Sequence, residues 1–272
     1  MLLKKLHEFE VANNDMYILK VVNDFIVTND QTCGLLLFDF WLKPQKKIFI
    51  KRNLSLYRIY NKFSGNEVCL YDAEGMTLIC ISLEELEKTK PIFVEVKSLK
   101  SILTPFYYWC KNKILFTTYK EGFFKLVISS NKLIKESPLQ VSSDCNLFFE
   151  FFSKMKLFYP PFVDSKEYRV IFYDDIQRKK VICYDFLSNQ QLIIENLDCD
   201  AHKIIYRKKT FLFISDNKIT VFDSLKNEKK EVLPASGYHY LDGQFINDDS
   251  FVLLSQDLSG SRSSRLDRYQ II

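Results

Sequence analysis

Short apolar runs recur along this chain, each cut off by a polar turn, and five of them end in an aspartate. They are Leu36-Leu37-Phe38-Asp39, Cys69-Leu70-Tyr71-Asp72, Ile182-Cys183-Tyr184-Asp185, Thr220-Val221-Phe222-Asp223 and Ser264-Arg265-Leu266-Asp267. A degenerate sixth copy is Phe124-Lys125-Leu126-Val127-Ile128-Ser129. Runs this short, rich in aromatic and β-branched residues and bounded by turn residues, predict strands. The copies stand on average about 46 residues apart, which marks a repeated supersecondary unit.

The clearest unit runs from Lys203 to Leu233. Lys203 to Tyr206 predicts a short strand, and Thr210 to Ser215 a second that is apolar on both faces. Asp216-Asn217 turns the chain into Lys218 to Phe222, and Asp223 to Glu228 turns it again into Lys229 to Leu233. Four strands joined by tight turns form one antiparallel sheet. The same reading gives Met16–Val22, Asp24–Thr28, Leu35–Phe40 and Lys47–Lys51, and then Phe106–Trp109, Ile114–Thr118, Phe123–Ile128 and Lys132–Glu136. Leu54 to Leu83 reads as a compressed copy. Glu84 to Lys90 predicts a helical turn ended by Pro91. Leu147 to Ile194 is longer than one unit needs, and Pro160-Pro161 marks an inserted hairpin or loop.

The last unit supplies three strands, near Tyr238–Phe245, Ser250–Ser255 and Arg265–Ile271. Leu2 to Val11 precedes the first complete unit, and pairing it beside the C-terminal strand would cover two open edges. A repeat of 40–50 residues built from four short strands predicts an all-β β-propeller. Six blades fit the spacing, with five or seven as alternatives, in a single domain spanning 1–272. The pattern resembles a degenerate WD-repeat or kelch-like propeller over nearly the whole chain, although the Gly-His and Trp-Asp dipeptides of WD repeats are absent.

Composition supports strands: aromatic residues make up 15% of the chain, with 24 Phe and 15 Tyr. Net charge is +4 from 38 basic and 34 acidic residues, which points to no polyanionic partner. Seven cysteines are present, an odd number without CxxC spacing. Cys69, Cys80, Cys110 and Cys183 sit in apolar runs and read as reduced core thiols, so a cytoplasmic location is expected. No apolar stretch approaches the length of a membrane span.

Chemical motifs are scarce. His7, His202 and His239 are the only histidines, and only closure of the last blade could bring His7 towards His239. Asp174-Asp175, Asp198 with Asp200, Asp242, and Asp248-Asp249 are the carboxylates to weigh for acid–base work, yet all fall in predicted turns, where aspartate bonds nearby backbone. No nucleophile elbow, phosphate loop or calcium loop occurs, so neither cofactor nor metal is expected. Basic clusters at Lys46-Lys47, Lys51-Arg52, Arg178-Lys179-Lys180, Arg207-Lys208-Lys209 and Lys229-Lys230 read as solvated strand edges rather than a nucleic-acid groove.

The expected function is therefore non-enzymatic protein binding by loops on a rigid scaffold. Asp174, Asp175, Asp198, Asp200, Asp248 and Asp249 would supply charge. Tyr238 and Tyr240, with Trp41 and Trp109, would act as aromatic anchors. In size, compartment and lack of motifs the chain looks like immunity proteins that neutralise contact-dependent nuclease toxins, including EndoU-type ones. That resemblance implies a nuclease partner blocked at its active site in a 1:1 complex, the chain being otherwise monomeric. The alternatives are a propeller-type hydrolase or lyase with carboxylates at a central channel, and a scaffold subunit of a larger complex.

Overall fold

The computed structural model describes residues 1–61, 66–83, 91–95, 107–110, 113–118, 122–127, 132–136, 161–164, 169–195 and 200–272. In chain order the strands begin with β1 (Leu3–Val11), β2 (Leu19–Val22), β3 (Phe25–Asp30), β4 (Gly34–Phe38) and β5 (Pro44–Phe49). Next come β6 (Leu56–Asn61), β7 (Glu67–Asp72), β8 (Thr77–Ser82) and β9 (Ile92–Glu95), then β10 (Tyr107–Cys110), β11 (Lys113–Thr118), β12 (Gly122–Val127) and β13 (Lys132–Glu136). They continue with β14 (Phe162–Asp164), β15 (Arg169–Tyr173), β16 (Val181–Asp185) and β17 (Gln190–Ile194). The last seven are β18 (Lys203–Arg207), β19 (Thr210–Ser215), β20 (Lys218–Asp223), β21 (Glu228–Val232), β22 (Tyr238–Asn247), β23 (Ser250–Asp257) and β24 (Ser264–Ile271).

Among the described residues these strands form six four-stranded sheets. Five of them run in sequence order, and the sixth has the order β1-β24-β23-β22. β1 pairs antiparallel with β24, from Leu3 opposite Ile271 to Val11 opposite Ser264. The stretch expected to be a compressed unit carries a full set of strands. Its fourth member, β9, follows Glu84–Lys90, so counting turns inside Leu54–Leu83 misses it. Glu84–Lys90 and the expected insertion before Pro161 lie outside the described residues.

The chain divides into two compact units, one made of Met1–Tyr57 with Cys199–Ile272 and the other of Arg58–Asp198. The first holds the sheets β2–β5, β18–β21 and β22-β23-β24-β1. Its core comprises two apolar layers. Leu212, Ile214, Ile219 and Val221 pack with Tyr240, Phe251, Leu253 and Tyr269, and Met16, Leu19, Ile26, Phe38 and Leu42 pack with Val252, Leu254 and Leu266. Alternation along β19 and β23 sends side chains to both faces, so strands buried on both sides need apolar centres, as Phe211–Ile214 and Phe251–Leu254 supply. Gly243 permits the close approach of β22 to β19, because a Cβ there would come within 2.9 Å of Ile214 Cδ1.

The second unit holds the sheets β6–β9, β10–β13 and β14–β17. Val68, Cys69, Leu70, Leu78 and Ile79 are buried in the first of these, and Val170, Ile171, Val181 and Cys183 in the last. Cys69 and Cys80 face each other across β7 and β8. Both are free thiols, as is buried Cys183. Burial, then hydrogen bonding with Cys80, pushes the Cys69 thiol far above its ordinary value.

Candidate functional site

The recurring aspartate proves to be a turn-former. Asp39 Oδ1 accepts the N–H groups of Trp41 at 2.8 Å and Lys43 at 2.9 Å. Asp185 Oδ1 does the same for Leu187 and Ser188, and Asp223 Oδ1 for Leu225 and Lys226. These three copies close the turn between the third and fourth strands of their sheets, whereas Asp72 ends the second strand of its sheet. Burial alone would raise the Asp223 carboxyl, but the Lys226 and Leu225 N–H groups and Lys209 outweigh it and hold it below its ordinary value. Asp267 departs from the pattern. It lies inside β24, nearly buried, and meets Lys5 at 2.8 Å and Arg265 at 3.0 Å.

These turns also project apolar side chains into solvent. The residue two places after the aspartate is Trp41, Leu187 or Leu225, and they are 61%, 72% and 80% exposed. At the first turn the neighbouring Leu42 is buried with a φ of 62°, a strained conformation for a bulky residue. Burying Leu42 under Phe38 is what turns Trp41 outward.

The acidic and aromatic residues expected to form one surface do not gather. Tyr238 opens β22, while Asp248 and Asp249 follow its end, so roughly 30 Å of strand separates them. Tyr240 is fully buried rather than an exposed anchor, and its hydroxyl donates to Leu233 O at 2.9 Å. Two residues apart, the two tyrosines share a face of β22, but Tyr238 is the strand's first residue whereas Tyr240 lies farther in, packed with Leu212, Ile214, Phe251 and Tyr269. Tyr238 is half-buried, and its hydroxyl is raised first by burial and then by its hydrogen bond with Glu10.

The carboxylates of Asp174, Asp175 and Asp248 are individually engaged. Asp174 pairs with Lys180 at 2.7 Å, and Asp175 accepts Lys179 N–H at 2.8 Å. Asp248 is bound by Lys208 and by Arg207 at 2.8 Å, which hold its carboxyl below the ordinary range. Asp249 uses its backbone, donating to Asn247 Oδ1 and accepting from Ile271 N. Asp200 is exposed just ahead of β18, and Asp198 lies outside the described residues.

Asp242, weighed as an acid–base group, is closed off. It is 6% exposed, accepts Leu19 N–H at 3.0 Å and Gly243 N–H at 2.6 Å, and pairs with Lys203. A register shift between Tyr240 and Asp242 aims it this way.

His7 and His239 do share a sheet, but on β1 and β22, its two outermost strands. About three strand spacings of 4.8 Å separate them, too far for shared metal ligation. No cluster of three His, Cys, Asp or Glu able to hold a metal occurs among the described residues. His202 instead links the turn after β19 to β22, with Nε2 3.0 Å from Leu241 O and Nδ1 3.1 Å from Asp216 Oδ1. The basic clusters are partly spent on acids: Lys47 on Asp30, Lys180 on Asp174, Lys209 on Asp223.

One surface is not apparent from motifs. Among the described residues β5 is the outermost strand of its sheet, bonded only to β4. It is flanked by Trp41 and ends at Phe49, 64% exposed, with Lys43, Lys46 and Lys47 between. The only clue in the sequence is the absence of acid from Phe40 to Asn53. The side chain of Trp109 lies outside the described residues.

No protein-family model and no curated protein matches this sequence. The WD40 domain of Pan2 from Neurospora crassa is similar in structure, with a TM-score of 0.66 and 11% identity, covering 98% of this chain and 95% of that one. Kluyveromyces lactis Hsv2 also matches, at a TM-score of 0.47 and 8% identity, over 90% of this chain and 72% of that one. The first likeness shows the fold, an all-β β-propeller with four-stranded antiparallel blades.

Proposed function

We propose that this chain is a non-catalytic propeller that binds another protein. The observation that carries this is the contrast at its turns: the carboxylates are engaged in caps and ion pairs, while large apolar side chains are held outward on rigid hairpins. Exposed aromatics on an ordered scaffold are the usual anchors of protein interfaces. The hydrolase alternative needs free inward carboxylates, and the best of these, Asp242, is engaged on every side.

The chain reads as one propeller domain of six blades, a count supported by the six four-stranded sheets and by the β1–β24 pairing. A reducing compartment fits the buried free thiols. Within protein binding, an immunity protein for a nuclease toxin needs an acidic surface to cover a basic cleft. Asp174 and Asp248 are neutralised where they stand, so the geometry favours a scaffold in a larger complex over a nuclease inhibitor.

The test is affinity purification of the tagged chain from its native host, with mass spectrometry of what survives high salt. Stable, stoichiometric protein partners support the reading. A single nuclease would restore the inhibitor reading. Absence of any protein partner would overturn protein binding and direct attention to an enzyme screen.

A further inference from the structure

An outer strand that is basic, aromatic at both ends and open along one edge has a specific complement. We infer that β5 and its flanking turns dock an acidic, extended segment of a protein partner by strand addition, an inference that rests on the protein-binding reading.

The backbone supplies the first reason. Among the described residues β5 bonds to β4 on one side only, so alternate N–H and C=O groups along its other side point away from the sheet. Pro44 stands at the first residue of the strand, where a missing N–H costs least, and leaves Gln45 to Phe49 as an open edge. Such an edge is a template for another extended chain.

Charge supplies the second. From Phe40 to Asn53 there are five cations (Lys43, Lys46, Lys47, Lys51 and Arg52) and no carboxylate. Lys47 is held by Asp30 at 2.7 Å, whereas Lys43, Lys46 and Arg52 form no ion pair among the described residues. A row of like charge on an edge repels a second copy of the same edge and attracts an acidic one. The outer strand β21 differs, since Glu228-Lys229-Lys230-Glu231 balances its own charge.

Aromatic placement supplies the third. Trp41 and Phe49 bracket the edge, both more than three-fifths exposed, and the Asp39 cap holds Trp41 in place before any partner arrives. Pre-ordered aromatics lose little entropy on binding. Basic and aromatic groups together also suit single-stranded nucleic acid. However, base stacking makes no use of a row of unpaired backbone groups, and strand addition does.

The test selects displayed random peptides of about twelve residues, long enough to span a strand, on the immobilised full chain. Enriched peptides are then measured by fluorescence anisotropy against the wild type, the Trp41→Ala/Phe49→Ala variant and the Lys43→Glu/Lys46→Glu variant. Enrichment of Asp or Glu alternating with apolar residues is expected, with a loss of about tenfold or more in each variant. Methylating alternate backbone amides of the peptide should weaken it similarly. Unchanged melting confirms that the variants are folded.

Peptides that bind the variants as tightly as the wild type overturn this edge as the site and leave protein binding intact. Failure to enrich any peptide overturns the edge too, and the native-host purification then decides protein binding separately. A labelled oligouridylate that binds tightly through the same four residues, with no acidic peptide enriched, overturns both readings.

Discussion

The carboxylate of Asp242 on β22 accepts the backbone N–H of Leu19 on β2 at 3.0 Å, across 223 residues of sequence. The same group holds Lys203 of β18, so one buried aspartate ties together the first strands of three sheets. Removing it leaves a part-buried ammonium and a buried N–H without their acceptor. Asp242→Ala should therefore cost about 3 kcal/mol, and Asp242→Asn, which keeps an acceptor for Leu19, less. Urea unfolding measures both, and equal effects would show that the Leu19 bond contributes nothing.

Gly34→Ala should be among the most damaging small substitutions in the chain. A Cβ at Gly34 would sit 1.8 Å from Ile48 O, a backbone atom fixed in the β4–β5 ladder. Relief requires separating the two strands, at a cost of several kcal/mol, about 3 or more. Thermal melting would reveal it, and a fully stable alanine variant would contradict the close approach.

Asp257 gives a pH prediction. The hydroxyls of Ser259 and Ser261, with Ser259 N–H, hold its carboxyl at about 2. A folded value below the unfolded one stabilises the turn above the ordinary aspartate range, and the contribution disappears as pH falls towards 2. Carbon-detected NMR titration should place Asp257 near 2 in the wild type and nearer the ordinary value in Ser259→Ala/Ser261→Ala. An unshifted wild-type carboxyl would remove the basis for the cap.

The repeated motif predicts a contrast between neighbours. Asp223→Ala loses the caps to Leu225 and Lys226 and should cost about 1 kcal/mol. Leu225→Ser, two residues on at a solvated tip, should stay within about 0.5 kcal/mol of the wild type. Paired melting curves test this, and a larger loss at Leu225 would mean that the tip is packed rather than presented.

Cys69 and Cys80 should resist alkylation in the folded chain, because burial keeps the Cys69 thiol protonated and out of reach. Half-buried Cys33, whose thiol is raised first by burial and then by Asp30, should react sooner. Mass spectrometry after iodoacetamide, with and without urea, separates the three.

Much of the architecture was legible because strand physics is local. The predicted Thr210–Ser215 coincides with β19, and Lys132–Glu136 with β13, since an apolar run between turn residues fixes both ends of a strand. The structural duty expected of the repeated aspartate was also legible, as a cap that reaches only two to four residues onward. The site was far less so. Tyr238 and Tyr240 looked alike as anchors, and only their positions in the β22 ladder separate a half-buried rim residue from a core one. Asp242 and Asp248 looked alike as turn carboxylates, and a register shift buries one while Arg207 and Lys208 neutralise the other.

By itself the sequence determined the strands, their turns and the all-β class, because side-chain alternation, turn chemistry and aspartate caps act over a few residues. Tertiary structure decided which strand lies at an edge, which aromatic is exposed and which carboxylate is partnered. Those depend on residues hundreds of positions apart, such as Leu19 and Asp242, whose meeting no local pattern encodes. The Trp41–Phe49 edge belongs to both: the sequence set its charge, and the order of strands in the sheet left it open.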